Sequence, residues 1–239
     1  VDPYAKAVEI ESQNSLYRFA LGTALYKQGT SKAKIDLKAV EDATAEFKKA
    51  MDLGRRDARL HFNLGTCYVI TGKYDQAIIL LEEAIKRGLR DEEVFYNLGN
   101  ANFSKAMTIN FTWDGYDSLT DPDMQSKNNR KFDYLFKAVQ LYELALKQKE
   151  DYAQVYYDLG VAYYRLSELK LTPDFIPKVT RDQKSKEEYI AKGVKFFQID
   201  MLQRAVDNFK SFQSNSSDSK KKSIASKVES DLKNQIKEL

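Results

Sequence analysis

The sequence is nearly empty of the residues on which catalytic and redox sites are usually built. Its 239 residues include one histidine and one cysteine, His61 and Cys67. A single thiol cannot form an intramolecular disulfide, so the cysteine content does not call for an oxidising compartment. The two residues are six apart and point to different faces of a helix. No Gly-rich phosphate loop, metal-ligand cluster or nucleophile motif accompanies them. Long apolar runs are missing as well: none reaches the roughly 18 residues of a membrane span, and no signal-peptide pattern is present. Charge of one sign is not in excess, since 38 Lys and Arg against 35 Asp and Glu give +3. That balance speaks against nucleic acid as a partner. The local run Lys220-Lys221-Lys222 reads as the solvated start of a helix. These absences exclude a recognisable enzyme, cofactor site or metal site. The chain opens on Val1 rather than Met and reads as processed or cut from something longer. Its compartment therefore stays open between the cytoplasm and a bacterial cell envelope reached after a targeting segment is removed.

What the chain does have is a period. Leu64-Gly65, Leu98-Gly99 and Leu159-Gly160 recur at one place in a 34-residue cycle, and Ala58 to Asp91 is one uninterrupted turn of it. Self-similarity at this period marks stacked helix pairs. Within that unit Leu64 and Tyr68 share a helix face, and Gly65 leaves room for a partner helix to approach. Thr71-Gly72-Lys73 breaks the helix. Ala77, Leu81 and Ala84 then form a small–large–small stripe on a second helix.

With Ala58 as the first position, His61, Leu64, Gly65, Tyr68, Ala77, Leu81 and Ala84 fall on seven signature positions, and the unit resembles the tetratricopeptide repeat. Leu89 stands where that signature has proline. The resemblance implies an all-α fold, a right-handed α-solenoid of antiparallel helix hairpins. About four repeats are expected, with insertions between helices and capping helices at both ends. The units are 15–57, 58–91, 92–152 with an insertion at about 106–131, and 153–219 with an insertion at about 170–198. Residues 1–14 read as a capping half-repeat, and 220–239 as a capping helix with Ile224, Val228, Leu232 and Ile236 as its apolar stripe. A second partition makes 186–219 a fifth, degenerate unit.

In tetratricopeptide arrays the first helices line a concave surface, and the resemblance carries that role onto this register. At the fifth position of the units stand Phe19, Phe62, Tyr96 and Tyr157; at the twelfth, Tyr26, Phe103 and Tyr164. So many rings would be unusually apolar for a surface that only meets water. Asn63, Asn97 and Asn100 offer amides that can grip a peptide unit by donor and acceptor together. Thr66 and Asp158 complete the expected groove. The clamp for a C-terminal carboxylate found in chaperone-linked members has no counterpart, since Thr23 and Thr66 stand where it needs Asn. The implied function is a non-enzymatic protein–protein interaction module that binds a peptide or protein segment. The alternative is a structural scaffold, a homo-oligomer formed through end helices or inserted loops. The middle insertion contains the chain's single Trp, and Trp113 with Tyr116 is expected either to fold into the groove or to form a second contact surface. Asp114, Asp117, Asp121 and Asp123 do not have the spacing of a calcium loop.

Overall fold

The computed structural model describes residues 2–31, 33–110, 121–169 and 183–239; for residue 2 and residues 183–196 it describes the backbone alone. Among the described residues every regular element is a helix: α1 (Asp2–Ile10), α2 (Ser15–Thr30), α3 (Leu37–Asp52), α4 (Ala58–Ile70), α5 (Tyr74–Lys86), α6 (Glu92–Thr108), α7 (Pro122–Gln148), α8 (Ala153–Ser167), α9 (Gln183–Asn215) and α10 (Ser219–Glu238). None of them is long and apolar enough to cross a membrane. The chain divides into two compact units, residues 1–101 and 102–239.

In the first unit the chain alternates between starts and stops written locally. Asn14, Asp36, Asp57 and Asp91 accept backbone N–H groups at the starts of α2, α3, α4 and α6. Each satisfies donors that a helix end leaves unpaired. Asp57 and Asp91 are 34 residues apart, so the period reaches the caps. Removing the α4 cap by Asp57→Ala, which deletes the 3.1 Å bond from Leu60 N–H, should lower stability by about 1 kcal/mol; urea unfolding measures it.

The stops are glycines. Gly54, Gly72 and Gly88 have φ of +92°, +76° and +98°, a region open to glycine at little cost. Around each, the following residue bonds back to the carbonyl five residues before it: Arg55 to Ala50, Lys73 to Tyr68 and Leu89 to Ala84, at 3.1, 2.8 and 3.1 Å. This is the Schellman closure of a helix end.

Helices α2 and α3 pair, as do α4 and α5. The close approach occurs at a glycine each time. A Cβ built on Gly22 would stand 2.8 Å from the Phe47 ring, and one on Gly65 2.8 Å from Leu81 Cγ. Phe47, Leu60 and Leu81 are fully buried, each worth about 1.5–3 kcal/mol of apolar transfer. Arg18 on α2 donates to Glu46 on α3 at 2.9 Å, tying the first pair further.

The second unit uses the same device with longer helices. A Cβ on Gly160 of α8 would meet the Phe209 ring of α9 at 3.1 Å. Tyr163 on α8 donates to Glu143 on α7 at 2.8 Å, and Arg204 of α9 lies over its ring. One boundary differs from the sequence reading. α7 starts at Pro122, within the stretch read as insertion, because Asp121 caps it and proline fits the first helical turn. Its early turns bury Phe132 and Leu135, and Phe132 meets Phe197 of α9 at 6.2 Å. α9 runs unbroken for 33 residues, with no turn that would divide 186–219 into a hairpin. α10 packs on α9, but through Ala225 and Leu232; Ile224 is 48% exposed. The small Ala225 lets the helices approach, which rotates the contact away from Ile224.

Candidate functional site

The first helices of the repeats carry every expected groove residue, and each compact unit can be taken separately. In residues 1–101 the first helices are α2, α4 and the start of α6. Tyr26 on α2 is half-buried, and its phenol is pushed above the ordinary value, mainly by burial and then by Cys67 on α4 and Glu93 on α6. Helix α2 contacts α4 directly. Arg59 of α4 also pairs with Asp91, the cap of α6, at 3.5 Å.

The ring positions behave differently from the expected open surface. Phe19 lies 5.6 Å from Phe47 of its own hairpin and carries the Arg55 guanidinium over its face at 4.0 Å. Phe62 is only 8% exposed and Thr66 6%; the Thr66 hydroxyl donates to the Phe62 carbonyl at 2.9 Å. Phe62 and Thr66 are therefore committed to packing or to their own helix, because burial gains more than display, while Phe19 stays half-exposed. Tyr96, Asn63, Asn97 and Asn100 remain half-exposed. The Asn97 amide donates one N–H to the Glu93 carbonyl at 2.8 Å, which leaves its oxygen and second N–H to offer a ligand.

In residues 102–239, Phe103 and Tyr164 are half-exposed. Tyr157 packs edge-on against Phe209 and Phe212 at 5.6 and 5.3 Å, so it too belongs to its hairpin. Asp158 accepts from one amide nitrogen, Gln154 Nε2, at 3.2 Å to each of its oxygens. Lys221 of α10 in turn donates to Gln154 Oε1 at 3.3 Å. Tyr164 forms part of a cleft of about 390 Å³ with Ser167, Glu168, Leu202 and the end of α10. Burial and then its bond with Glu168 push the Tyr164 phenol up. Trp113 and Tyr116 lie outside the described residues.

Arg55 and Arg59, each stacked over a ring, were not among the expected groove residues. Arg59 occupies the second position of its unit, which the register already assigns to the concave face. Arg55 sits in the turn between repeats, where the register gives no direction. Among the described residues no group of three His, Cys, Asp or Glu side chains could hold a metal.

Gly22, Gly65 and Gly160 meet Phe47, Leu81 and Phe209 at one equivalent place in three hairpins, and the family model for the tetratricopeptide repeat matches residues 58–88. The chain carries a tetratricopeptide repeat. A crystal structure of MamA protein is similar over 87% of this chain and 79% of that one, at 16% identity and a TM-score of 0.50. TTC0263, a thermophilic tetratricopeptide protein in Thermus thermophilus, is similar over 90% and 98%, at 16% identity and 0.47. YrrB, described as a tetratricopeptide protein with an unusual peptide-binding site, is similar over 86% and 91%, at 18% identity and 0.37. At these identities a likeness speaks to fold alone, and the MamA comparison carries it. No curated protein matches the chain in sequence. Tetratricopeptide repeats are in general protein-interaction scaffolds rather than enzymes.

Proposed function

We propose that this tetratricopeptide chain holds an extended peptide or protein segment along the first helices of its units, and carries out no reaction itself. The observation that supports this most is the succession of first helices: α2 contacts α4, and Arg59 of α4 pairs at 3.5 Å with Asp91, the cap of α6. Side chains one repeat apart in sequence then become neighbours along a row. Asn63 and Asn97, 34 residues apart, would be successive rungs of that row, with Tyr26, Tyr96 and Asn100 beside them. An amide rung binds a peptide backbone rather than a particular side chain, so the partner is expected to be extended and loosely specified in sequence.

The test compares capture of a binding segment by the wild-type chain and by Asn63→Ala/Asn97→Ala. Each lost hydrogen bond is worth about 0.5–1.5 kcal/mol, so the pair should weaken affinity roughly tenfold while the thermal melt stays put. A partner retained at undiminished affinity by the folded variant would remove the groove from consideration.

A further inference from the structure

Two aspartates of the first compact unit divide their carboxylate oxygens between two tasks. Asp57 Oδ1 accepts the Leu60 N–H at 3.1 Å and caps α4, while Oδ2 pairs with Arg55 at 2.5 Å. The Arg55 guanidinium lies over the Phe19 ring of α2 at 4.0 Å. Asp91 stands 34 residues later and does the same. Its Oδ1 accepts the Val94 N–H at 3.0 Å and caps α6, while Oδ2 pairs with Arg59 of α4 at 3.5 Å. At both places the start of a first helix is joined, through an arginine, to the first helix before it. Other caps lack the second bond. Asp36, Asp121 and Asp218 cap α3, α7 and α10 and make no ion pair among the described residues. α2 starts on the neutral Asn14, and α8 on Tyr152, which makes no side-chain cap bond. The two joined helices, α4 and α6, are those with asparagine at the sixth position, Asn63 and Asn97. α2 has Ala20 there, and α8 has Asp158.

We propose that Asp57 and Asp91 are positioning residues of the groove, setting how far apart its first helices stand. Asp91 sets α6 against α4, and Asp57 sets α4 against α2. This rests on the peptide-binding reading for its purpose, although the spacing itself can be measured without a partner. Packed helices lie about 8–10 Å apart, and an extended chain rises about 3.3 Å per residue. Successive first helices thus meet an extended segment at about every third residue. A hydrogen bond to its backbone holds between about 2.7 and 3.2 Å, so a rung that drifts by about 1 Å loses it. An exposed ion pair adds little to stability, and Arg59 is 57% exposed, so these pairs serve orientation rather than cohesion. Because they are ionic, salt weakens them, and the spacing of the groove then responds to ionic strength.

The experiment reads the distance from α2 to α6 in the full chain by pulsed electron spin resonance. Nitroxides are placed at Ala20→Cys and Asn97→Cys in a Cys67→Ala background, two helix spacings or roughly 20 Å apart. Asparagine caps a helix about as well as aspartate, so Asp57→Asn/Asp91→Asn removes the ion pairs and keeps the caps. It is expected to widen the distance distribution and move its mean by about 1–2 Å, the size of a helix shift. The urea midpoint should not change. Arg59→Gln, at an exposed side chain, should give part of the same change, and serves if the double variant fails to fold by circular dichroism. Salt at about 1 M, where the Debye length is about 3 Å, should widen the wild type and leave the double variant as it is. Asp36→Asn makes the same substitution at a cap without an arginine and should change nothing. A distribution untouched by the Asp57→Asn/Asp91→Asn and Arg59→Gln variants, or an equal change in Asp36→Asn, would overturn the proposal. Widening in a chain whose Asn63→Ala/Asn97→Ala form keeps its partner at full affinity would sustain the spacing role and remove only the peptide-binding reading.

Discussion

Gly65→Val should destabilise the first compact unit by about 3 kcal/mol, at the upper end of what overpacking a core costs. The new Cβ would stand 2.8 Å from Leu81 Cγ and 3.1 Å from Leu81 Cδ2. Cγ is the branch point of a fully buried side chain, so it cannot swing aside as a chain terminus could. Gly65→Ala meets the same wall but regains about 1 kcal/mol of helix propensity, and should show a smaller loss. Urea unfolding of the two variants gives the order. A double-mutant cycle with Leu81→Ala isolates the contact: the combined variant should lose less than the sum of the two single losses. Gly88→Ala is the comparison at a turn, with open space around the Cβ but φ at +98°. Only the left-handed backbone penalty of about 1–2 kcal/mol applies there. A Gly65→Val protein as stable as the wild type would mean that α4 and α5 do not close on one another as described.

Alkaline pH is the second large lever. Burial pushes the Cys67 thiol up from its ordinary 9.0 to about 12. The unfolded chain releases this proton near pH 9 while the folded chain keeps it. Between those values the native state binds more protons, so stability falls as pH rises. Over three units the loss amounts to about 4 kcal/mol. Below pH 9 the group is neutral in both states and contributes no slope. Tyr163, pushed up by burial and by Glu143, adds a slope of the same sign at higher pH. Urea midpoints of the wild type and of Cys67→Ala at pH 8 and pH 10.5 test this. The wild type should fall further between the two by about 2 kcal/mol. Parallel decline of both proteins would place the alkaline sensitivity in other groups.

Much of the fold was legible in the residues because the repeat writes its own joints. Gly65 and Leu81 announce a close crossing, and Thr71-Gly72-Lys73 announces a stop; both are local statements that short-range physics enforces. The start of α7 was also written, in Asp121-Pro122, a cap followed by a proline, although it lies inside the stretch expected as an insertion. The site was less legible, since register gives the direction of a Cα–Cβ bond but not which neighbour a long ring will meet. Phe19 and Tyr157 occupy positions expected to face a ligand. They rest instead on Phe47 and on Phe209 and Phe212, because large aromatics on the second helix reach far enough to claim them. Asn102 illustrates the converse. It stands where the repeat expects an aromatic, and it is fully buried. On α10 the expected stripe seats only in part: Leu232 is buried but Ile224 is 48% exposed, because the small Ala225 decides how closely the helix seats.

The left-handed glycines also explain where this molecule could grow. Gly54 and Gly88 stand 34 residues apart with Gly72 between them, so both corners of that unit are locked and its length is set. α2 and α8 end instead on Ser31 and Glu168 in ordinary right-handed conformation, corners that impose no fixed exit. The longer connections, residues 31–36 and those after Glu168, follow just such unlatched ends, while the doubly latched unit keeps to 34 residues.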